Sequence, residues 1–236
     1  MLSALLVGSL GALLGLVGSG DEPRTPRQAL HPFNELIGSW RASGEMVPAS
    51  RGRPWKETHA WTWRFRDNDA WLEGTITDGQ RFRGAELRWR AGSDLFELKM
   101  LPADANADPV VFVGLLSENG RSLVVEREDE GSKETQRLTL NFVGEIRYVL
   151  RLERRPAGRT QFVRDFQVAA QREGESLAGK PANQKPVCIV SGGLGTMTVS
   201  HQDRTFYVCC TGCRDEFNAN PEKYIKEWEE SQKKRP

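Results

Sequence analysis

From Phe33 to about Arg172 the chain repeats one pattern: short runs with a large apolar side chain at every second position, each closed by a turn signal. His59–Arg66 sets Trp61, Trp63 and Phe65 on one face and Thr62, Arg64 and Arg66 on the other. Phe96, Leu98 and Met100 alternate with Glu97, Lys99 and Leu101. Ile146, Tyr148, Leu150 and Leu152 alternate with Arg147, Val149, Arg151 and Glu153. Between such runs stand Asp78-Gly79, Gly92-Ser93, Asn119-Gly120 and Ala157-Gly158, which suit tight hairpin connections. The pattern predicts about nine or ten strands and no long helix. A sheet of that many strands with one apolar face buries it most economically by curling onto itself, which also removes exposed edges. The expected fold is therefore mainly β, an antiparallel barrel over residues 33–172.

Charge excludes one class of partner. With 33 basic and 32 acidic side chains the formal net charge is +1, and no basic footprint for nucleic acid or an anionic membrane surface is expected. The run Arg127, Glu128, Asp129, Glu130 reads as a solvated turn.

The start of this region, Gly38-Ser39-Trp40, resembles the Gly-x-Trp opening of lipocalin-like barrels, and the spread of strands resembles their nitrobindin-like relatives. The resemblance implies either a carrier of a small apolar ligand or a barrel filled by its own side chains. Six of the seven tryptophans, at 40, 55, 61, 63, 71 and 89, favour core filling. Nitrobindin-like barrels hold haem through a histidine in the later strands. No histidine stands between His59 and His201, so haem is not expected. In the last strand Arg164 shares a face with Phe162, Phe166 and Val168. An inward Arg needs a buried carboxylate partner or a bulge that turns it outward; the sharper alternative is a ligand carboxylate, which makes Arg164 a candidate binding residue.

The flanks differ in grammar. Residues 1–20 contain no charged side chain, and the 17-residue stretch Leu2–Gly18 is apolar or small. A membrane span needs about 20 apolar residues, so an export signal is the expected reading, with an uncleaved N-terminal anchor as the alternative. No cysteine follows the apolar run, which excludes a lipid-modified cysteine at a cleavage site. Residues 21–32, with prolines at 23, 26 and 32, and residues 173–186 read as linkers. Residues 187–234 form a second, small unit that holds all four cysteines: Cys188, Cys209, Cys210 and Cys213.

A unit of fifty residues buries too little apolar surface to be comfortable alone, so a metal or disulfides are expected to support it. Thr205–Val208 is a β-branched and aromatic run, hence a strand; the cysteines turn out of it, and Arg214–Asn218 begins helically. Asn220-Pro221-Glu222 opens a second helix with a cap, a first-turn proline and an acid. Thiolates favour Zn²⁺, Cu⁺ and other soft or borderline cations. Cys213 near a helix start gains from unpaired amides and the helix dipole. Cys188 can supply a third sulfur, and Cys210, His201 or Met197 a fourth ligand.

Together, Cys188, the run Phe206-Tyr207-Val208-Cys209, Cys213, Phe217 and Asn220–Tyr224 resemble the YHS/TRASH modules, small metal-binding units. That resemblance implies a site built on Cys188, Cys209 and Cys213. The sequence departs from the family in having Ile189-Val190 after the first cysteine rather than Gly-Met, and His201 stands between Ser200 and Gln202 rather than in Tyr-His-Ser. Two other chemistries fit the same cysteines: two disulfides in an exported chain, or redox work at Cys210–Cys213. The glycines of Ser191–Gly195 lack the Lys-Ser/Thr ending of a phosphate loop.

No Gly-x-Ser-x-Gly, His-Glu-x-x-His or dinucleotide fingerprint occurs, and the only histidines are His31, His59 and His201. The expectation is a non-enzymatic exported protein that binds Zn or Cu for capture, delivery or sensing. The alternative is a barrel carrying a small apolar or carboxylate ligand, with the cysteine unit as a stabilised tail.

Overall fold

In a computed structural model, residues 24–174 and 186–233 are described. The expected export segment and most of the second linker lie outside them. Among the described residues, no helix is long and apolar enough to cross a membrane.

Ten antiparallel strands close into a barrel in simple up-and-down order, β1 (Gly38–Met46) pairing with both β2 (Trp55–Arg66) and β10 (Val163–Arg172). Between them run β3 (Asp69–Thr77), β4 (Phe82–Trp89), β5 (Phe96–Pro102), β6 (Val110–Leu116), β7 (Ser122–Glu128), β8 (Thr135–Phe142) and β9 (Arg147–Arg155). Period-two alternation holds where it was expected. Trp61 and Trp63 on β2, Phe96, Leu98 and Met100 on β5, and Tyr148, Leu150 and Leu152 on β9 are buried. The tryptophans fill the barrel by lying over glycines: a methyl group on Gly44 would fall 2.1 Å from the Trp55 ring.

Part of the stretch expected as a linker is structure. Thr25 caps α1 (Pro26–Ala29) through a capping box, and a 3-10 turn, His31–Leu36, follows. Leu30, Phe33 and Leu36 are fully buried, and the Phe33 ring meets Phe96 edge-on at 5.1 Å between centroids. This plug is latched to the wall by Trp40, whose indole N–H donates to the Leu36 carbonyl at 2.7 Å. Arg172 packs 4.3 Å over the Trp40 ring and donates to the carbonyls of Ile37 and Glu35.

One polar chain runs through this interior. The Trp55 indole donates to Glu57 Oε2 at 2.5 Å, and Glu57 Oε1 meets His59 Nε2 at 2.6 Å. His59 Nδ1 is bonded to the Tyr148 hydroxyl, which also accepts from the Trp61 indole at 3.3 Å. All these side chains are buried, and burial pushes the Tyr148 phenol above its usual range. With His59 donating from Nε2 to Glu57 and accepting at Nδ1 from Tyr148, every donor in the chain has an acceptor.

The second unit comprises β11 (Met197–His201) and β12 (Arg204–Val208), then α2 (Thr211–Ala219) and α3 (Pro221–Lys233). The hairpin turn places Gln202 and Asp203 at positive φ, as a two-residue primed turn requires. Phe206, Val208, Phe217 and Tyr224 form its small core, with ring centroids of Phe206 and Phe217 at 5.6 Å.

Tyr148→Phe leaves two buried groups, on His59 and Trp61, without their partner. A loss of roughly 1–3 kcal/mol is expected, measured as a lower urea midpoint; an unchanged midpoint would show the chain to be energetically idle.

Candidate metal centre

The loop from Pro186 to Gly195 turns back on itself. Cys188 N donates to the Gly193 carbonyl at 2.7 Å, Gly192 N donates to the Cys188 carbonyl at 2.9 Å, and Gly195 N donates to the Pro186 carbonyl at 2.8 Å. Gly192 has φ +75°, a left-handed conformation that glycine adopts without penalty. This loop aims Cys188 at the end of β12, where Cys209 leaves the strand and Cys210 serves as the extended N-cap residue of α2. Cys213 follows in the first helical turn, close to free amides and the positive end of the helix dipole.

The four thiols are buried and free. The Sγ atoms of Cys188, Cys209 and Cys213 all lie within 4.8 Å of one another. Cys209 Sγ is 3.5 Å from Cys213 Sγ and 3.8 Å from Cys210 Sγ. Those separations are contacts, since a disulfide bond is about 2.05 Å long. Ser191 lines the same spot, with its amide donating to Cys188 Sγ at 3.4 Å and its hydroxyl 3.3 Å from Cys209 Sγ. Hydrogen bonds from Cys209 and Cys213 hold the Cys188 thiol far below its usual range, and the same two neighbours do so for Cys210. Contact with Cys188 and Cys210 pushes Cys209 up, and burial above all pushes Cys213 up.

Both arms of the centre rest on the barrel and its plug. The Trp63 amide donates to Cys210 Sγ at 3.4 Å. The Trp63 indole donates to Asn34 Oδ1 at 3.0 Å, and the Asn34 side-chain amide donates to the Ser191 carbonyl at 2.8 Å. Arg27 of α1 donates to the Val190 carbonyl at 2.9 Å and pairs with Glu227 of α3 at 2.6 Å. A cleft of about 550 Å³ between barrel and second unit reaches Cys209 past Gly192 and Gly193.

Of the residues singled out in the sequence, Cys188, Cys209, Cys213 and Cys210 are brought together, and His201 is not. His201 ends β11 opposite Arg204, four residues beyond Met197, which pairs with Val208 next to Cys209. That distance is roughly 13 Å along a strand. The His201 ring lies in a cleft lined by Glu222, Lys226 and Glu229, with a buried Nε2 that makes no hydrogen bond. Arg164 faces Glu153 at a β-bulge that shifts the register before Phe166. The bulge brings Asp165 as well as Phe166 inward, so the buried charge is Asp165, paired with Arg51 at 2.7 Å and Arg154 at 2.9 Å. Ser191, Asn34 and the Trp63 amide escaped sequence reading. Only Ser191, three residues after Cys188, carries a local signal, because an amide at that spacing turns back onto a preceding sulfur.

No family model matches the chain, and no curated protein matches it. Among solved structures, it is similar to Rv2717c from M. tuberculosis, at 16% identity and a TM-score of 0.40 over 61% of this chain and 97% of that one. It is also similar to the S-type phycobiliprotein lyase CPES from Guillardia theta, at 12% identity and a TM-score of 0.37 over 61% of this chain and 92% of that one. The expectation of a non-enzyme is corrected here. A protein sharing this likeness is named a lyase, and missing catalytic motifs do not exclude that class. At these similarities the likeness carries no activity to this chain.

Gly212 of α2 touches the barrel so closely that an added methyl would lie 1.8 Å from the Trp63 carbonyl oxygen. Helix propensity alone makes Gly212→Ala stabilising by up to about 1 kcal/mol. The contact predicts the opposite sign, a loss of roughly 1–3 kcal/mol from overpacking. Thermal unfolding decides between them, and faster proteolysis after residue 186 should accompany the loss.

Proposed function

We propose that this protein binds a soft or borderline metal ion, Zn²⁺ or Cu⁺, through Cys188, Cys209 and Cys213, and serves in its capture, delivery or sensing. The observation that carries this reading is the convergence of three buried thiols within 4.8 Å at a helix start. The YHS/TRASH resemblance of residues 187–234 supports it, as does the loop of glycines that leaves Cys209 reachable from a cleft. Sulfur selects soft cations over hard ones, and the amide of Ser191 offsets charge that the bound thiolates retain. As part of the same proposal we infer that the apolar segment at 1–20 exports the protein or anchors it outside the cytoplasm, where a bound ion would also protect the thiols from oxidation; cell fractionation tests that inference.

The deciding experiment is anaerobic reconstitution of the reduced full chain with Zn²⁺ and, separately, with Cu⁺. Wild type should retain metal through desalting, and Cys188→Ser should bind it more than about tenfold more weakly, since loss of outer-shell partners alone costs 10–100-fold. Retention of neither ion by wild type would sink the reading.

The second reading is a small ligand carried in the barrel. A closed barrel is the scaffold such a carrier needs, and the Glu57–His59–Tyr148 chain, whose polar atoms already satisfy one another, would exchange partners to engage the ligand. Denaturing extraction of the purified protein followed by mass spectrometry tests it. A stoichiometric small molecule supports the idea, and its absence removes it.

A further inference from the structure

The four sulfurs do not occupy the corners of one tetrahedron. A single ion about 2.3 Å from each of four sulfurs needs all six S–S separations near 3.8 Å, by tetrahedral geometry. Cys210 falls outside the set whose sulfurs all lie within 4.8 Å of one another. Cys209 and Cys213, 3.5 Å apart, instead form an inner pair. Cys188 interacts with both of them from the side of the Ser191 loop. Cys210 lies 3.8 Å from Cys209 and is bonded by the Trp63 amide of the barrel wall. Each outer sulfur has its own backbone amide at 3.4 Å, Ser191 N for Cys188 and Trp63 N for Cys210. Those anchors lie on different elements, the Ser191 loop and β2, so the two outer sulfurs are held by separate parts of the fold.

Resting on the metal-binding reading above, we propose that this rhombus holds two cuprous ions bridged by Cys209 and Cys213, with Cys188 terminal on one and Cys210 terminal on the other. Each ion then has three sulfur ligands, a coordination number that a soft, closed-shell Cu⁺ accepts. Two Cu⁺ replace the four thiol protons, so the loaded cluster carries a charge of −2, the same as one Zn²⁺ with four thiolates. The two outer amides and the α2 N-terminus face that residual charge. Zn²⁺ prefers four ligands to three, so the three sulfurs that converge, those of Cys188, Cys209 and Cys213, should take a single zinc ion with a fourth ligand from outside the cysteines. On this assignment Cys210 is a metal ligand anchored by the barrel wall, and the close seat of Gly212 on Trp63 fixes one corner of the cluster.

The test is an anaerobic titration of the reduced full chain with Cu⁺ against a cuprous chelator such as bathocuproine disulfonate. Two ions per chain are expected for wild type and one for Cys210→Ser, with a single Zn²⁺ for wild type. Saturation of wild type at one Cu⁺, or two ions retained by Cys210→Ser, overturns the cluster and leaves the metal-binding reading in place. Retention of neither metal overturns the metal-binding reading itself. Because Cys210→Ser could disturb the helix start, copper-edge X-ray absorption on wild type provides a second measurement. A Cu–Cu distance with a three-sulfur shell supports the cluster, and a mononuclear spectrum or a larger copper aggregate overturns it.

Discussion

The backbone of Trp63 is a point on which the barrel and the second unit are joined, within one continuous apolar core. Its amide donates to Cys210, its carbonyl lies against Gly212, and its indole reaches the Ser191 loop through Asn34. A buried backbone amide that is not satisfied costs about as much as a lost hydrogen bond. The second unit therefore cannot leave β2 without exposing or stranding that group. The thiol centre in turn takes its shape from the seat, because the strand end and the helix start that carry three of its cysteines are pressed on the same residue.

Inside the barrel a different constraint operates. Glu57 and His59 occupy inward positions of β2, where the alternation of the strand admits nothing else without a change of register. Their burial is tolerated because Trp55, Trp61 and Tyr148 supply a partner for each polar atom. Such a network specifies one arrangement of the core, since a shift of any strand strands several groups at once. The tryptophans have both roles, filling the space over glycines and donating indole N–H groups.

Two residues show where sequence reasoning stopped. Strict alternation puts Arg164 beside Phe166, but the bulge inserts one residue and changes the face of everything before it. Nothing local to Val163–Phe166 announces that insertion; it follows from the pairing of β10 with β9 and from the arginines waiting around Asp165. His201 looked like a fourth ligand because it is near the cysteines in sequence. The hairpin is straight and five residues long on each side, so its tip cannot approach its base.

Period-two patterning alone determined that antiparallel strands with one buried face run between residues 38 and 172, and cysteine spacing determined which sulfurs could meet. Both are local matters: side chains alternate because the backbone is pleated, and a strand-turn-helix carries its own geometry. Closure between β1 and β10, the use of Thr25–Leu36 as a plug, the inward turn of Asp165 and the direction of Cys210 were decided only in three dimensions. Each depends on a partner far along the chain, a strand edge, an arginine or the amide of Trp63, and no pattern within a short window carries information about a contact 147 residues away.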